Sequence, residues 1–109
     1  MGKFIYENIL KADFDDRILA HLQVVIGTKQ RRGESFHFTW KDDPSIGDGV
    51  TIVWIHPRCT IAYKFYGGRR PALSRAWIEQ MMLAANSGGG LFVMSEPADA
   101  PHPGPESGS

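Results

Sequence analysis

The chain has few of the features that would assign a function directly. Its 109 residues include a single cysteine, and twelve Lys and Arg balance twelve Asp and Glu. One cysteine excludes an internal disulfide, and a neutral chain has no overall field to attract nucleic acid or an acidic membrane surface. Any binding to such partners must therefore come from a local patch.

Long hydrophobic runs are also missing. No apolar stretch approaches the roughly 20 residues that span a bilayer, and segment 1–6 lacks the apolar run of a signal peptide. We therefore expect no membrane partner and a cytoplasmic location. The composition, 42% hydrophobic and 22% charged, is that of an ordinary globular domain.

The end of the chain differs in composition from the rest. From residue 97 onward it contains proline, glycine and serine and no large apolar residue. Such a segment cannot bury enough surface to offset the entropy of ordering it. We predict one domain over 1–96, followed by a disordered tail over 97–109.

Hydrophobic periodicity divides the domain into eight elements. Alternating or apolar segments predict strands at 3–7, 10–14, 35–41, 50–56, 60–66 and 91–94. Apolar residues at helical spacing predict a helix that begins after Asp15 and ends at Gly27, and a second one that begins after Ser74. The order ββαβββαβ implies an α+β two-layer sandwich, in which both helices cover one face of a mostly antiparallel sheet.

The exposed face of that sheet is a candidate interface. The strand at 35–41 alternates large apolar and polar residues, so one of its faces is predicted to face solvent. The strand at 50–56 is apolar on both faces and is predicted to be central. The solvent-facing side of the sheet would carry His37, Thr39, Lys41, Lys64 and Tyr66. It could bind a second subunit or a strand of nucleic acid, or it could be solvated.

Three tryptophans favour a second subunit. Two helices on one sheet face of a short chain are expected to leave Trp40, Trp54 and Trp77 incompletely covered. Self-association would cover them. The sequence therefore predicts a homodimer.

Two groups of residues suggest metal or nucleophile chemistry and do not match its templates. The acidic loop 42–49 has no oxygen ligands at the alternate positions that an EF-hand needs, so it is predicted to be a polar hairpin loop. His56 and Cys59 are spaced like half of a zinc site, whose other ligands are missing. A thiol in a turn is also a weak candidate nucleophile. We expect no metal, no cofactor and no catalytic residue.

Six basic residues are better candidates for binding. They lie at the predicted exit of the first helix and entry of the second, where they could converge on a phosphate or on a carboxylate-rich partner. Solvated helix ends are the alternative interpretation. The six residues are Lys29, Arg31, Arg32, Arg69, Arg70 and Arg75.

Several strings carry a resemblance to a known family. They are Asp15-Asp16-Arg17, Ala20-His21-Leu22-Gln23-Val24-Val25-Ile26-Gly27, Arg31-Arg32-Gly33-Glu34-Ser35-Phe36, Trp40-Lys41-Asp42-Asp43-Pro44-Ser45, Gly47-Asp48-Gly49, Arg69-Arg70-Pro71, Arg75-Ala76-Trp77 and Ala85-Asn86-Ser87. On these strings residues 1–97 resemble a family of small uncharacterised actinobacterial proteins, many of which carry the automatic label "ATP-dependent DNA ligase".

That label implies an adenylated lysine in a Lys-x-Asp-Gly motif. The nearest string here is Lys41-Asp42-Asp43-Pro44, in which proline stands at the glycine position. We therefore expect no ligase activity. The sequence predicts a non-catalytic binding domain that self-associates. The alternatives are a nucleic-acid-binding accessory protein and an enzyme acting on an unknown small substrate.

Overall fold

The structure is a computed structural model that describes residues 1–97, the side chain of Ile46 excepted. The predicted disordered tail lies, beyond residue 97, outside the described residues. Within residues 1–97, no helix is both long and apolar enough to cross a membrane.

Six strands and two helices follow one another in the predicted order, which confirms the α+β class. The elements are β1 (Gly2–Tyr6), β2 (Leu10–Phe14), α1 (Asp16–Arg31), β3 (Phe36–Lys41), β4 (Val50–Ile55), β5 (Ile61–Phe65), α2 (Arg75–Ala85) and β6 (Leu91–Phe92), with a short 3₁₀ turn at Pro44–Ile46.

The strands form two sheets where the sequence suggested one. The first sheet has the order β2-β1-β5 and is antiparallel, and the second has the order β4-β3-β6, in which β6 runs parallel to β3. The three consecutive strands β3, β4 and β5 therefore do not lie in one sheet, because β5 pairs with β1 and not with β4. As a consequence β4 is an edge strand, and its predicted central position is wrong.

The turn between β4 and β5 sends the chain from one sheet to the other. The Tyr6 hydroxyl donates to the Trp54 carbonyl at 2.6 Å, and the Glu7 amide donates to the Thr60 carbonyl at 2.8 Å. These bonds attach both sides of the turn to the end of β1. They place β5 beside β1, where Tyr63 packs against Phe4 with ring centroids 5.9 Å apart.

The inner faces of the two sheets meet in an aromatic core. The ring of Phe4, from the first sheet, contacts Phe38 and Trp40, from the second, in edge-to-face geometry with centroids 5.3 and 5.7 Å apart. All three side chains are buried. Such rings account for much of the apolar area removed from water in a domain of this size.

The two helices close this core and run side by side in the same direction. At the start of α2 the Ser74 amide donates to His21 Nε2 at 2.7 Å, and beyond its end Asn86 Oδ1 accepts from Lys29 Nζ at 2.6 Å. The His21 ring is fully buried, and its Nδ1 lies 2.6 Å from the Arg17 carbonyl. The neutral tautomer with hydrogen on Nδ1 satisfies both contacts.

The first helix continues past Gly27 to Arg31, so its predicted end is wrong. A glycine inside a helix costs only about 1 kcal/mol relative to alanine. The buried side chains of Val25, Ile26 and Lys29 hold this last part of the helix in place. Tertiary packing thus overrides a local stop signal.

Candidate functional site

The outer face of the second sheet is unusually apolar. In β3 and β4 the register pairs three outward positions, His37 with Trp54, Thr39 with Ile52 and Lys41 with Val50, and β6 adds Phe92 beside Thr39. Four of these side chains are exposed hydrophobics: Val50 (59% exposed), Ile52 (61%), Trp54 (49%) and Phe92 (50%). We call these seven residues the apolar face.

The apolar face also includes an edge strand, β4, whose free side is not protected as the edges of solvated sheets usually are. β4 pairs with β3 on one side, and no strand among residues 1–97 pairs with its other side. Exposed edge strands are usually protected by charged residues or proline. The strand Val50–Ile55 contains neither. An unpaired strand edge without charge therefore borders an exposed apolar face.

Trp54 is held in place at one end of the apolar face. Its ring lies edge-on to His37, with centroids 4.8 Å apart, and its carbonyl accepts from the Tyr6 hydroxyl. Burial, together with the neighbouring Cys59 thiol, raises the pKa of Tyr6 to about 12. The hydroxyl therefore keeps its proton at neutral pH and anchors the Trp54 backbone.

A cleft of about 360 Å³ opens at the other end of the apolar face. It forms because β6 ends at Phe92 while β3 continues to Lys41, so the third strand is missing there. Its lining residues are Phe14, Thr39, Trp40, Lys41, Val50, Phe92 and Val93. Half-exposed Trp54 and this cleft thus occupy opposite ends of one surface.

The structure divides the predicted interface residues between the two sheets. His37, Thr39 and Lys41 lie on the apolar face, but Lys64 lies in β5 and Tyr66 directly follows that strand, with the Lys64 ammonium 5.5 Å from the Tyr66 ring centroid. The five residues therefore do not form one face. The reason is that β5 belongs to the first sheet.

The prediction about tryptophan exposure is correct only for Trp54. Trp40 is 6% exposed and Trp77 is 2% exposed, because both rings enter the shared core. Sequence reasoning missed Val50, Ile52 and Phe92. The signal was present in the apolar character of both faces of β4, which indicates either a central strand or an edge strand that meets a partner.

Of the six basic residues, Lys29 is not exposed. It is buried at 5% exposure, where its ammonium pairs with Glu34 at 2.8 Å and donates to Asn86. Its Nζ also lies 5.5 Å from the Phe36 ring centroid. The Lys29 hydrogen bond lowers the pKa of Glu34. Lys29 therefore ties the end of α1 to the chain beyond α2 and to the loop before β3.

The five arginines are exposed and fall into two groups. Arg31 and Arg32 lie at the end of α1, near the end of α2, whereas Arg69, Arg70 and Arg75 lie near its start. Because the helices run in the same direction, the two groups do not converge as expected. Binding of phosphate by these residues stays a prediction.

The acidic loop and the His56–Cys59 turn use their polar groups internally. Asp42 Oδ1 accepts from the Thr51 hydroxyl at 2.7 Å, and Asp43 Oδ1 accepts from the Ser45 amide at 3.0 Å. In the turn, the His56 amide donates to Cys59 Sγ at 3.3 Å. Across residues 1–97, no three His, Cys, Asp or Glu side chains are grouped so that they could hold a metal ion.

Comparison with known proteins identifies a family without a known role. A family model described as a domain of unknown function, DUF7882, matches residues 1–96. The chain belongs to this family. No curated protein and no solved structure matched the chain. The match supports membership of an uncharacterised family, and it does not address the DNA-ligase label or the source organism.

Proposed function

We propose that the protein is a non-catalytic interaction domain that forms a homodimer through the apolar face. The observation that carries this proposal is the row of exposed Val50, Ile52 and Trp54 on an edge strand without charge. A contiguous exposed apolar patch on a protein surface often marks a site of contact with a partner.

A second copy fits this face for an electrostatic reason. The outward positions of β4 carry no charge, and the outward positions of β3 contain one charged residue, Lys41. Two copies can therefore approach face to face with little like-charge repulsion. The geometry would be that of a β-sandwich, whose sheets stack about 10 Å apart.

The size of the face predicts a reversible dimer. A strand of six residues is roughly 20 Å long and three strands are roughly 10 to 14 Å wide. This footprint is well below the roughly 800 Å² that each partner buries in a stable complex of standard size. We therefore expect dissociation in the micromolar range and not an obligate dimer.

Sedimentation velocity combined with light scattering tests the proposal. We expect the mass to rise above the 12.1 kDa of one chain as the concentration passes through the micromolar range. Ile52→Lys should abolish this rise, because it places an ammonium group in the centre of the apolar face. Its matched control is Leu83→Lys, since Leu83 is also an exposed aliphatic side chain (72%) but lies on α2.

Two results would contradict the proposal. One is a wild-type protein that stays at the monomer mass over the whole range. The other is a dimer that Ile52→Lys leaves unchanged. Circular dichroism of both variants establishes that each is folded before its mass is interpreted.

Nucleic-acid binding is the second candidate, and the exposure of five arginines favours it. If they contact phosphates, the affinity for DNA should fall steeply with salt, by about 0.9 in log-log slope for each contact. Arg31→Ala with Arg32→Ala should lower that slope by up to about two without changing any sequence preference. Absence of binding at low salt would eliminate this candidate.

A cytoplasmic location also belongs to this proposal. The thiol of Cys59 is free. A free thiol is compatible with the reducing interior of a cell. Recovery of the protein in a cytosolic fraction would test the location.

A further inference from the structure

We infer that the two copies meet with their strands antiparallel, so that Trp54 of each protomer enters the cleft of its partner. This inference rests on the proposed dimer and deepens it, because it states which residue of one copy completes which site of the other. Three independent features of the apolar face support it: position, shape and charge.

The first feature is position. Val50 and Trp54 are four residues apart on β4, a distance of about 13 Å along the strand. The register pair Thr39 and Ile52 lies halfway between them. A twofold axis through this midpoint, in the plane between the sheets and perpendicular to the strands, keeps β4 over the partner's β4. It places each Trp54 over the partner's Val50, which forms one wall of the cleft.

A parallel face-to-face arrangement does not bring these parts together. A twofold axis parallel to the strands keeps every residue at its own height and exchanges β4 with β6. Trp54 would then lie over the partner's Gly90, at the end of the face away from the cleft. Both Trp54 rings and both clefts would be left half-exposed.

The second feature is the shape and chemistry of the cleft. Its volume of about 360 Å³ lies within the range of sites that enclose a small molecule or a large side chain. Trp40, Val50 and Phe92 supply apolar walls. The Lys41 ammonium, which makes no ion pair among residues 1–97, stands at the rim, where it can approach the face of an indole ring.

A buried aromatic anchor is the usual source of affinity in a small interface. Trp is among the residues most enriched at such positions, where loss of the side chain costs at least about 2 kcal/mol. Two equal Trp54 contacts would therefore allow a small apolar face to hold two copies together in the micromolar range.

The third feature is charge beyond the two ends of the face. The loop after β3 carries Asp42, Asp43 and Asp48, none of which forms an ion pair among residues 1–97. At the opposite end, Arg32 precedes β3 and Arg58 follows β4, and both are exposed. Antiparallel stacking brings the acidic end of each copy near the basic end of the other. Parallel stacking would bring like charges together.

The antiparallel arrangement also closes the assembly at two copies. Each copy contributes one Trp54 and one cleft to a self-complementary contact, so no further copy can be added through the same surface. The facing sheet would cover the exposed side chains of β4, whereas the backbone edge of β4 points within the plane of its own sheet and stays unpaired.

Site-directed cross-linking distinguishes the two arrangements. In a Cys59→Ser background, we would prepare His37→Cys, Thr39→Cys and Lys41→Cys and treat each with a bis-maleimide that has a short spacer. His37 of one copy faces the partner's Lys41 in the antiparallel arrangement. In the parallel arrangement His37 faces the partner's His37, and Lys41 faces the partner's Lys41.

We expect cross-linked dimers when the His37→Cys and Lys41→Cys proteins are mixed, and not when either is treated alone. Intact mass identifies the linked species, because the two variants differ in mass. Efficient linking of His37→Cys to itself would overturn the inference. Thr39→Cys lies at the axis in both arrangements, so its failure to link would contradict the proposed dimer itself and not only its orientation.

A complementation experiment tests the Trp54 anchor directly. Trp54→Ala keeps the cleft and loses the anchor, whereas Val50→Arg keeps the anchor and obstructs the cleft. Each variant alone should dimerise at least about 30-fold more weakly than the wild type, which corresponds to the loss of about 2 kcal/mol. An equimolar mixture should recover part of the affinity, because the heterodimer forms one complete contact.

The result of the mixture is informative in either direction. Recovery requires that Trp54 of one chain meet Val50 of the other, which occurs only in the antiparallel arrangement. A mixture that dimerises no better than its components, while wild type remains dimeric, would show that Trp54 and the cleft do not meet.

Discussion

The outer faces of the two sheets differ although each sheet has three strands. In the first sheet the outward row at Lys3 also contains Asp13 and Lys64, and Lys3 pairs with Asp13 at 3.2 Å. In the second sheet the corresponding rows contain Val50, Ile52 and Trp54, which are about half exposed or more. One face is charged, and the other is apolar.

The inner faces of both sheets serve folding, and only the outer face of the second sheet is a candidate for binding. Both sheets contribute their inner faces to one aromatic core, and Val50, Ile52 and Trp54 are not part of it. An antiparallel sheet with one solvated face usually alternates apolar and polar residues, as the first sheet does. The second sheet departs from that pattern, and the proposed dimer would account for the departure.

Substitutions on the two faces of the second sheet should differ most in their effect on the free energy of unfolding. Phe38 is fully buried on the inner face, whereas Phe92 is half exposed on the outer face. Phe38→Ala should lower the free energy of unfolding by about 3 to 5 kcal/mol, because it leaves a cavity in the core. Phe92→Ala should lower it by less than about 1 kcal/mol in the dilute monomer.

Chemical denaturation at submicromolar protein concentration measures both values. At higher concentration, the same Phe92→Ala variant should dimerise more weakly, since Phe92 lines the cleft. Equal destabilisation by the two substitutions in the monomer would mean that the outer face belongs to the core of a single chain.

A smaller effect is expected where the two sheets are joined. Tyr6→Phe removes the hydroxyl that binds the Trp54 carbonyl and leaves the ring in place. We expect a loss of about 1 kcal/mol in the free energy of unfolding, typical of one hydrogen bond. Dimerisation should also weaken, because the backbone of Trp54 is no longer held.

Tyr63→Phe is the control for this prediction. The Tyr63 hydroxyl is buried and makes no hydrogen bond within residues 1–97, and burial raises its pKa. Its removal should leave dimerisation unchanged and alter stability only slightly. If both variants weakened the dimer equally, Tyr6 would have no specific connection to the apolar face.

The charges at the two ends of the apolar face should contribute less. Asp48→Arg or Arg58→Asp alone should weaken dimerisation about two- to fivefold, the range expected for an exposed ion pair. The double variant should recover most of this loss, since the opposite charges are restored in exchanged positions. Concentration series at low and high salt measure the effect, and additive losses in the double variant would refute the pairing.

The smallest effect is expected at the ion pair between Arg17 and Glu96, which belongs to neither outer face. Arg17 donates to both carboxylate oxygens of Glu96, at 2.9 and 2.7 Å, and this hydrogen bonding lowers the pKa of Glu96 below its usual value of 4.5. The pair therefore adds stability above pH 4.5, and the added stability is lost as the pH falls through the lowered pKa.

Glu96→Gln should remove this part of the acid sensitivity without changing dimerisation. Thermal unfolding between pH 3 and pH 7, compared with the wild type, measures the change. A variant whose stability falls with acid as steeply as that of the wild type would show that other carboxylates dominate.

Much of the fold is predictable because its signals are local. The period-2 alternation of β3 and the helical spacing of Leu19, Leu22 and Ile26 are sufficient to identify these two elements. Ser74 is correctly predicted as the cap of α2, where its hydroxyl accepts from the Trp77 amide at 3.3 Å. Such features depend on a few neighbouring residues.

The candidate site is only partly predictable, because it depends on which strands are neighbours. The alternation of one strand identifies His37, Thr39 and Lys41. Their association with Val50, Ile52 and Trp54, and not with Lys64, depends on the pairing of β5 with β1 instead of β4. No local pattern in the sequence encodes that choice.

The α+β class, the order of the elements and the inner apolar residues of β3 follow from the sequence alone, because each depends on periodicity and turn chemistry within short segments. The edge position of β4, the burial of Lys29 in an ion pair and the cleft at the end of the apolar face away from Trp54 are set by the tertiary structure. These outcomes depend on contacts between residues far apart in the chain, whose energies are decided by packing and not by local preference.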